Sequence, residues 1–439
     1  MTPRWTDVES TTLAMLLILI LFALIASGTY IGVALVVIGF FGIALLRSVS
    51  VALSQLTQIP FSATAAFAFS VIPMFMLMGE AALRSGLTTR LYNGFNLWLG
   101  RLPGGLGLAT IATSGMFAAI SGSGVAVTLM MSRVAIPEMR RAGYRDGFSG
   151  TVLASAGSFA VLIPPSAMLV VYALLVEISI GRALIAGLLP GLLTIAAYMA
   201  TVVIWAVLRP ESAPRGPTAS WGERARSIQD LLPVVLVATV VVGGIYTGFL
   251  TPTESAAAGA FAVIALGLVR RGLDARGLYE SGRNSVIATT QVFLILIGAF
   301  LFGRFIALSG IGNRIVLWIE ASGISPLAVM LVIVVVYLVL GTFLEGMSAL
   351  VITVPIFAPV VAGLGFDLFW FGVIVVKLIE ISVITPPLGF NVLVLKGAVP
   401  DIEINAIWRR VIVFVVIDLI LVATLFAFPQ IVLFLPSRM

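Results

Sequence analysis

Long apolar runs, cut at intervals by short polar or glycine- and proline-rich breaks, make up most of this chain. A run of about 17–25 apolar residues is long enough to cross a bilayer as a helix. On that pattern residues 11–27, 30–46, 61–83, 183–208, 231–247, 252–269, 285–308 and 412–435 are predicted continuous spans. Residues 148–180 and 369–397 are predicted spans broken at Pro164-Pro165 and Pro386-Pro387, because proline removes a helical donor and crowds the preceding turn. Residues 104–138 and 326–361 are equally apolar but interrupted midway, at Ser121-Gly122-Ser123-Gly124 and at 341–346. In hydrocarbon every backbone polar group must be satisfied, so irregular backbone survives only against protein or a polar cavity. These two segments are therefore predicted to be re-entrant hairpins. The total is ten full spans and two hairpins, with a short amphipathic piece at 91–100 and one long polar linker at 209–230.

The pattern occurs twice. A shift of 222 residues lays Gly124 on Gly346, Pro137 on Pro359, Gly143 on Gly365, Gly150 on Gly372 and Pro164-Pro165 on Pro386-Pro387. Further back, with a two-residue slip, Gly79, Ser85-Gly86 and Arg90 fall on Gly303, Ser309-Gly310 and Arg314. Hydrophobic segments interrupted at corresponding places in two halves are the sequence mark of a secondary transporter's binding site. The organisation that follows is an N-terminal scaffold over 1–60, a first repeat over 61–182, central scaffold spans and the linker over 183–285, and a second repeat plus last span over 286–439. Five full spans begin from residue 61 onward and before 285. That number is odd, so the second repeat is expected to be inverted relative to the first.

Composition narrows the class. Hydrophobic residues are 60% and charged residues 10% of the chain, with a mean hydropathy of +1.17, as in polytopic membrane proteins. The net charge of +6 sits between apolar runs, which is topology signal rather than a nucleic-acid surface. With the N-terminus outside, 17 of the 23 arginines fall in inside loops. The rule that cytoplasmic loops are positive then places both termini outside, the first hairpin opening from the cytoplasm and the second from outside. The chain has no His and no Cys, which excludes thiol chemistry, histidine proton relays and metal ligation by those residues. It has no G-x-x-x-x-G-K-[ST] phosphate loop and no H-E-x-x-H, so neither ATP hydrolysis by that route nor zinc proteolysis is expected. The chain is read as a carrier, not an enzyme.

The interruptions carry the candidate chemistry. Half-helices meeting at a hairpin tip present free N–H groups and positive dipole ends to an anion, and freed carbonyls can hold a hard cation such as sodium. Ser121, Gly122, Ser123, Gly124, Ser166, Gly341, Thr342, Glu345, Gly346 and Asn391 are the candidate substrate-binding residues. Ser123, Ser158, Pro164, Pro165, Gly346, Thr385, Pro386 and Gly389 are the candidate sodium ligands, mostly through backbone oxygens. The competing reading of the Ser and Gly positions is close helix packing, the usual use of small residues in membranes. Glu345 aligns with Ser123 in the repeat; an intramembrane carboxylate is a functional candidate by default. Lys377 and Glu380, three apart on one helix face, are expected to form a structural ion pair. Glu80 and Glu177 lie near span ends, where water can reach them.

Ser121-Gly122-Ser123, Ile136-Pro137-Glu138-Met139, Pro164-Pro165-Ser166 and Thr385-Pro386-Pro387-Leu388-Gly389 together resemble the large membrane subunit of tripartite ATP-independent periplasmic (TRAP) transporters over essentially the whole chain. The resemblance implies an elevator-type, sodium-coupled importer of small organic acids in a bacterial inner membrane, with no tightly bound organic cofactor. It also implies two partners, a small four-helix membrane subunit and a periplasmic substrate-binding protein. Only two spans precede the first repeat, so the small subunit is expected as a separate polypeptide. Many family members have a second Ser where this chain has Gly124, so one side-chain oxygen is missing from the first tip. The alternative is a stand-alone sodium-coupled carboxylate carrier of the same superfamily.

Overall fold

The computed structural model describes residues 7–216 and 219–439. Residues 1–6, which carry the expected outside N-terminus, and 217–218 of the linker lie outside the described residues. All regular structure among the described residues is helical, and nine helical stretches are long and apolar enough to cross a membrane.

One group of helices packs through glycine. Ile31–Leu46 lies along Ala275–Ser309, where a Cβ on Gly39 would stand 2.7 Å from the Leu301 carbonyl carbon and one on Gly298 would stand 2.5 Å from the Gly32 oxygen. Pro252–Val269 lies along Val71–Arg84 in the same way, with the Gly259 position 2.5 Å from Met78 Sδ. Lipid is as apolar as leucine, so membrane helices associate by close backbone approach, which only small residues permit. Trp221–Tyr246 completes this group against Leu87–Leu99, with Trp98 Nε1 donating to Ser227 Oγ at 3.1 Å.

The two interrupted hairpins and the two broken helices form a second group. Gly105–Ser121 and Gly124–Arg141 are the arms of the first hairpin, Pro326–Phe343 and Gly346–Gly363 those of the second. Asp146–Ser158 continues as Ala167–Val176 across the first Pro-Pro break, and Leu368–Ser382 as Phe390–Ala398 across the second. Both Pro-Pro bonds are cis. The packing is exchanged between halves: Ala167–Val176 docks on the second hairpin and Phe390–Ala398 on the first.

Several expected boundaries move. The span expected over 61–83 straddles two helices, Val49–Ala65 and, after an extended Ala66, Phe67–Arg84. Polar Ser54, Gln55, Thr57 and Gln58 leave Val49–Ala65 mostly exposed, and its apolar end merges in the sequence with the following span. Trp221–Tyr246 and Ala275–Ser309 begin ten residues ahead of the expected 231 and 285. Their first turns are polar, so hydropathy does not register them; Ser220 and Glu223 form a capping box at the first. The linker expected over 209–230 is therefore half helix. The span expected to run unbroken over 183–208 is divided at Gly187 into Ile180–Ala186 and Leu188–Leu208. Leu188–Leu208 was expected among the scaffold spans, but it packs on the first hairpin and on the last span, Ile404–Ala427.

Candidate functional site

At the first tip Gly105–Ser121 ends, Gly122 turns at φ +60°, and Ser123 caps the next half-helix by accepting from Ala126 N at 3.3 Å. A Cβ at Gly122 would stand 2.5 Å from the Pro165 carbonyl oxygen, so the tip is pressed against the first Pro-Pro break. Gly124 is pressed as closely on the Gly157 carbonyl, also at 2.5 Å. The serine absent here thus has no room for a side chain in this packing. Ser121 Oγ and Ser155 Oγ are buried with no partner among the described residues. Buried hydroxyls are rarely left so unless a water or ion completes them.

The first break holds Ser158, Pro164, Pro165 and Ser166 together and fully buried. Ser158 Oγ donates to Ser155 O at 2.8 Å. Ser166 caps Ala167–Val176, accepting from Leu169 N at 3.2 Å, and donates to the Val161 carbonyl. A hydroxyl that donates once still offers a lone pair to a cation.

At the second tip Glu345 takes the capping place that Ser123 holds at the first. Its Oε2 accepts from Ser348 N and from Ser348 Oγ, each at 3.2 Å, and the residue is exposed. A full negative charge at a helix N-terminus is itself stabilised by the dipole, and it makes this tip less suited to an anion than the first. Gly346 sits against Met168 and Ile379, tying the second tip to both broken helices. Gly341 packs on Ser382, and the Thr342 hydroxyl donates to Val339 O at 2.7 Å.

The second break is more open. Thr385 and Pro386 are half-buried, and Thr385 Oγ1 donates to Ile381 O at 2.7 Å. Gly389 turns at φ +51° beside Ile384 O and Trp408 Nε1. Buried Asn391 joins the halves, its Nδ2 donating to Ala154 O at 3.3 Å. The first tip therefore meets the first break, the second tip meets both broken helices, and the helix after the second break reaches back to the first broken helix. The donors gathered there are hydroxyl and carbonyl oxygens, a set that suits a hard cation.

A cavity of about 780 Å³ lies elsewhere, between Val49–Ala65, Ala275–Ser309 and the arm Gly346–Gly363. Gln55, Ser62, Glu177, Arg304 and Asn313 supply its polar lining, and the tip residues do not line it. Its volume is in the range of small-molecule sites.

The expected Lys377–Glu380 pair forms at 2.8 Å, but within a larger group that also holds Asp418, Tyr198 and Thr194. Sequence reasoning passed over Asp418, although an aspartate within an apolar run of this length was visible as a costly, hence informative, residue. On the loop side, Arg140 bridges Asp146 at 2.7 Å and Asp401 at 2.8 Å, and its hydrogen bond holds the Asp401 carboxyl below the usual range.

Residues 18–431 match the family model described as "Tripartite ATP-independent periplasmic transporter, DctM component". The C4-dicarboxylate TRAP transporter large permease protein DctM of Pseudomonas aeruginosa is 35% identical over 371 residues, covering 83% of this chain and 85% of that one. The sialic acid TRAP transporter large permease protein SiaM of Vibrio cholerae is 32% identical over 372 residues, covering 84% and 86%. The fold is similar to that of the Alcanivorax borkumensis YdaH transporter, with a TM-score of 0.60 at 14% identity over 87% of this chain and 90% of that one.

Proposed function

This chain belongs to the family of the DctM component of tripartite ATP-independent periplasmic transporters, and on that premise we propose that it imports small organic acids by coupling them to sodium. Its setting is a bacterial inner membrane, where it works as the transport subunit beside a small four-helix membrane protein and a periplasmic substrate-binding protein. The observation that carries this reading is the contact of each interrupted hairpin with a Pro-broken helix, Gly122 on Pro165 and Gly346 on Ile379. Such contacts gather free hydroxyl and carbonyl oxygens at bilayer depth, where an ion and a carboxylate can be held together. Relatives named for a C4-dicarboxylate and for sialic acid favour an acidic substrate. Their designation as large permeases favours the three-part assembly over a stand-alone carrier.

An inverted arrangement is supported by where the hairpins enter. Gly104, at the base of the first, packs on Val202 and Ala206, near the Arg209 end of Leu188–Leu208. Past the base of the second, Trp370 Nε1 donates to Leu425 O at 2.9 Å, near the far end of Ile404–Ala427. The near end of that span lies by the first hairpin's exit, with Arg410 beside Gly147. The moving body of an elevator would then be the two hairpins, the two broken helices, Leu188–Leu208 and Ile404–Ala427. It would slide against the glycine-packed group, and the cavity beside Arg304 would be its outward vestibule.

The test is uptake into liposomes holding this chain and the small subunit, with the cognate binding protein outside and sodium or proton gradients imposed. Sodium-driven uptake of the acid is expected. Uptake driven equally well without sodium, or without the binding protein, would refute the reading.

A further inference from the structure

Lys377, Glu380 and Asp418 are fully buried where Leu368–Ser382 meets Ile404–Ala427. Lys377 Nζ donates to Glu380 Oε1 at 2.8 Å, to Asp418 Oδ1 at 2.7 Å and to Thr194 Oγ1 at 3.0 Å. That uses all three ammonium hydrogens. Asp418 Oδ2 accepts the Tyr198 hydroxyl at 2.6 Å, so both of its oxygens are satisfied. Glu380 Oε2 is buried and has no partner among the described residues. Two carboxylates face one ammonium, and an uncompensated charge is costly in so apolar a setting.

Among the described residues, the other elements packed on Leu368–Ser382 offer nothing to balance that charge. Tyr337, on Pro326–Phe343, bonds Thr353, and Tyr172, on Ala167–Val176, donates to Leu368 O. Arg182, on Ile180–Ala186, reaches outward to the Met439 carbonyl. Gly346–Gly363 and Gln430–Leu433 hold no titratable residue. On Ile404–Ala427, Arg410 bonds Ala406 O within the first two turns of the helix. The groups that act on Glu380 are Lys377 and Asp418, with the Tyr198 phenol beside them.

We propose that this cluster is a proton-binding site, with one proton held on Glu380 Oε2. Asp418, accepting at both oxygens, stays ionised against Lys377. The cluster is then neutral, and the proton stays in place because the site is closed to water on every side. Glu380 lies five residues before Thr385 on the helix that leads into the second break. On the transport reading above, a body that carries this cluster takes no fixed charge across the membrane, only that of its ions and substrate. The held proton itself does not depend on that reading.

Infrared absorption spectra of the purified chain in lipid nanodiscs, at neutral pH, test the proposal. The wild type is expected to show the carbonyl band of a protonated carboxylic acid, and Glu380→Gln is expected to remove it. Asp418→Asn is expected to remove it too, because Lys377 would then need Glu380 ionised. Glutamate labelled with carbon-13 at its carboxyl should shift the band without any substitution, so the result stands even if a variant fails to fold. In liposomes Glu380→Gln, an isosteric mimic of the neutral acid, should retain uptake within about twofold and keep the wild-type pH profile. Absence of the band in the wild type, or a band unmoved by glutamate labelling, would overturn the proposal. A band that appears only when sodium is removed would overturn it in favour of a cation site. Loss of uptake in a folded Glu380→Gln protein would mean that the proton leaves during transport, which overturns its retention though not its binding on Glu380.

Discussion

At Gly122 the backbone stands at φ +60° and a Cβ would meet the Pro165 oxygen at 2.5 Å, so neither conformation nor space admits a side chain. Ser123 beside it accepts from Ala126 N and keeps its own hydroxyl hydrogen and a lone pair free. Thr385 at the second break donates to Ile381 O and likewise keeps lone pairs outward. On the sodium reading, Ser123→Ala and Thr385→Ala each remove one oxygen from a desolvated cation, a loss on the order of 1–3 kcal/mol. Both variants should raise the sodium concentration for half-maximal uptake at unchanged expression. Ser123→Ala also loses a helix cap, worth about 1 kcal/mol, and that part shows in stability rather than in sodium dependence. If neither variant changes the sodium curve, the ions are bound elsewhere.

Helices in this protein are assigned their side of the membrane by loop charge, and the loops at one end are tied by ion pairs. Arg84 meets Glu280, while Arg90 and Arg270 share Asp230. These pairs are half-buried at the helix ends, where water still screens them and limits what each adds to stability, so their value lies in marking one face. Cysteine labelling can read that face directly, because the chain has no native cysteine. Gly216 and Gly272 are poor places for the probe, since a Cβ would stand 2.9 Å from Gly100 O and 2.0 Å from Ser85 O respectively. Gly222 has open space around it, and Phe249 is 84% exposed in the turn after Trp221–Tyr246. Gly222→Cys should label only from the cytoplasm and Phe249→Cys only from outside. The reverse pattern would invert the proposed orientation.

For the molecule as a whole, sliding of one group of helices past the other can be stopped at a defined contact. Gly303 lies on Ala275–Ser309 and Pro355 on the second hairpin, and a Cβ at 303 would stand 3.6 Å from the Pro355 Cβ. That matches the spacing of about 3.5–4.5 Å that a disulfide requires. The pair Gly303→Cys with Pro355→Cys should therefore crosslink in the arrangement described here. Oxidation should abolish sodium-driven uptake, and a reductant should restore it. Uptake at the wild-type rate with the crosslink closed would mean that the hairpin does not travel along this helix, and local gating would have to replace the elevator.

The apolar runs, the matched glycines and prolines and the absence of His and Cys were enough to read a helical, multi-pass membrane protein of a transporter family. Those features follow from local rules: bilayer thickness, proline's missing donor, the need to satisfy backbone in hydrocarbon. The same rules found both tips, Ser121–Gly124 and Gly341–Gly346, and both breaks within a few residues. They missed Val49–Ala65 as a separate helix, because its apolar end runs into the next span, and they could not say which elements Leu188–Leu208 packs on, because its hydropathy is that of any span. Only the folded chain shows Tyr198 on that helix reaching Asp418, and Asp418 reaching Lys377, across 220 and 41 residues of sequence. Glu345 was read as a candidate binding carboxylate at the second tip, and only the folded chain shows that it also caps the half-helix that starts there. Period and composition report what one segment needs from its surroundings. Which distant side chain meets that need is decided by packing, and no local pattern encodes it.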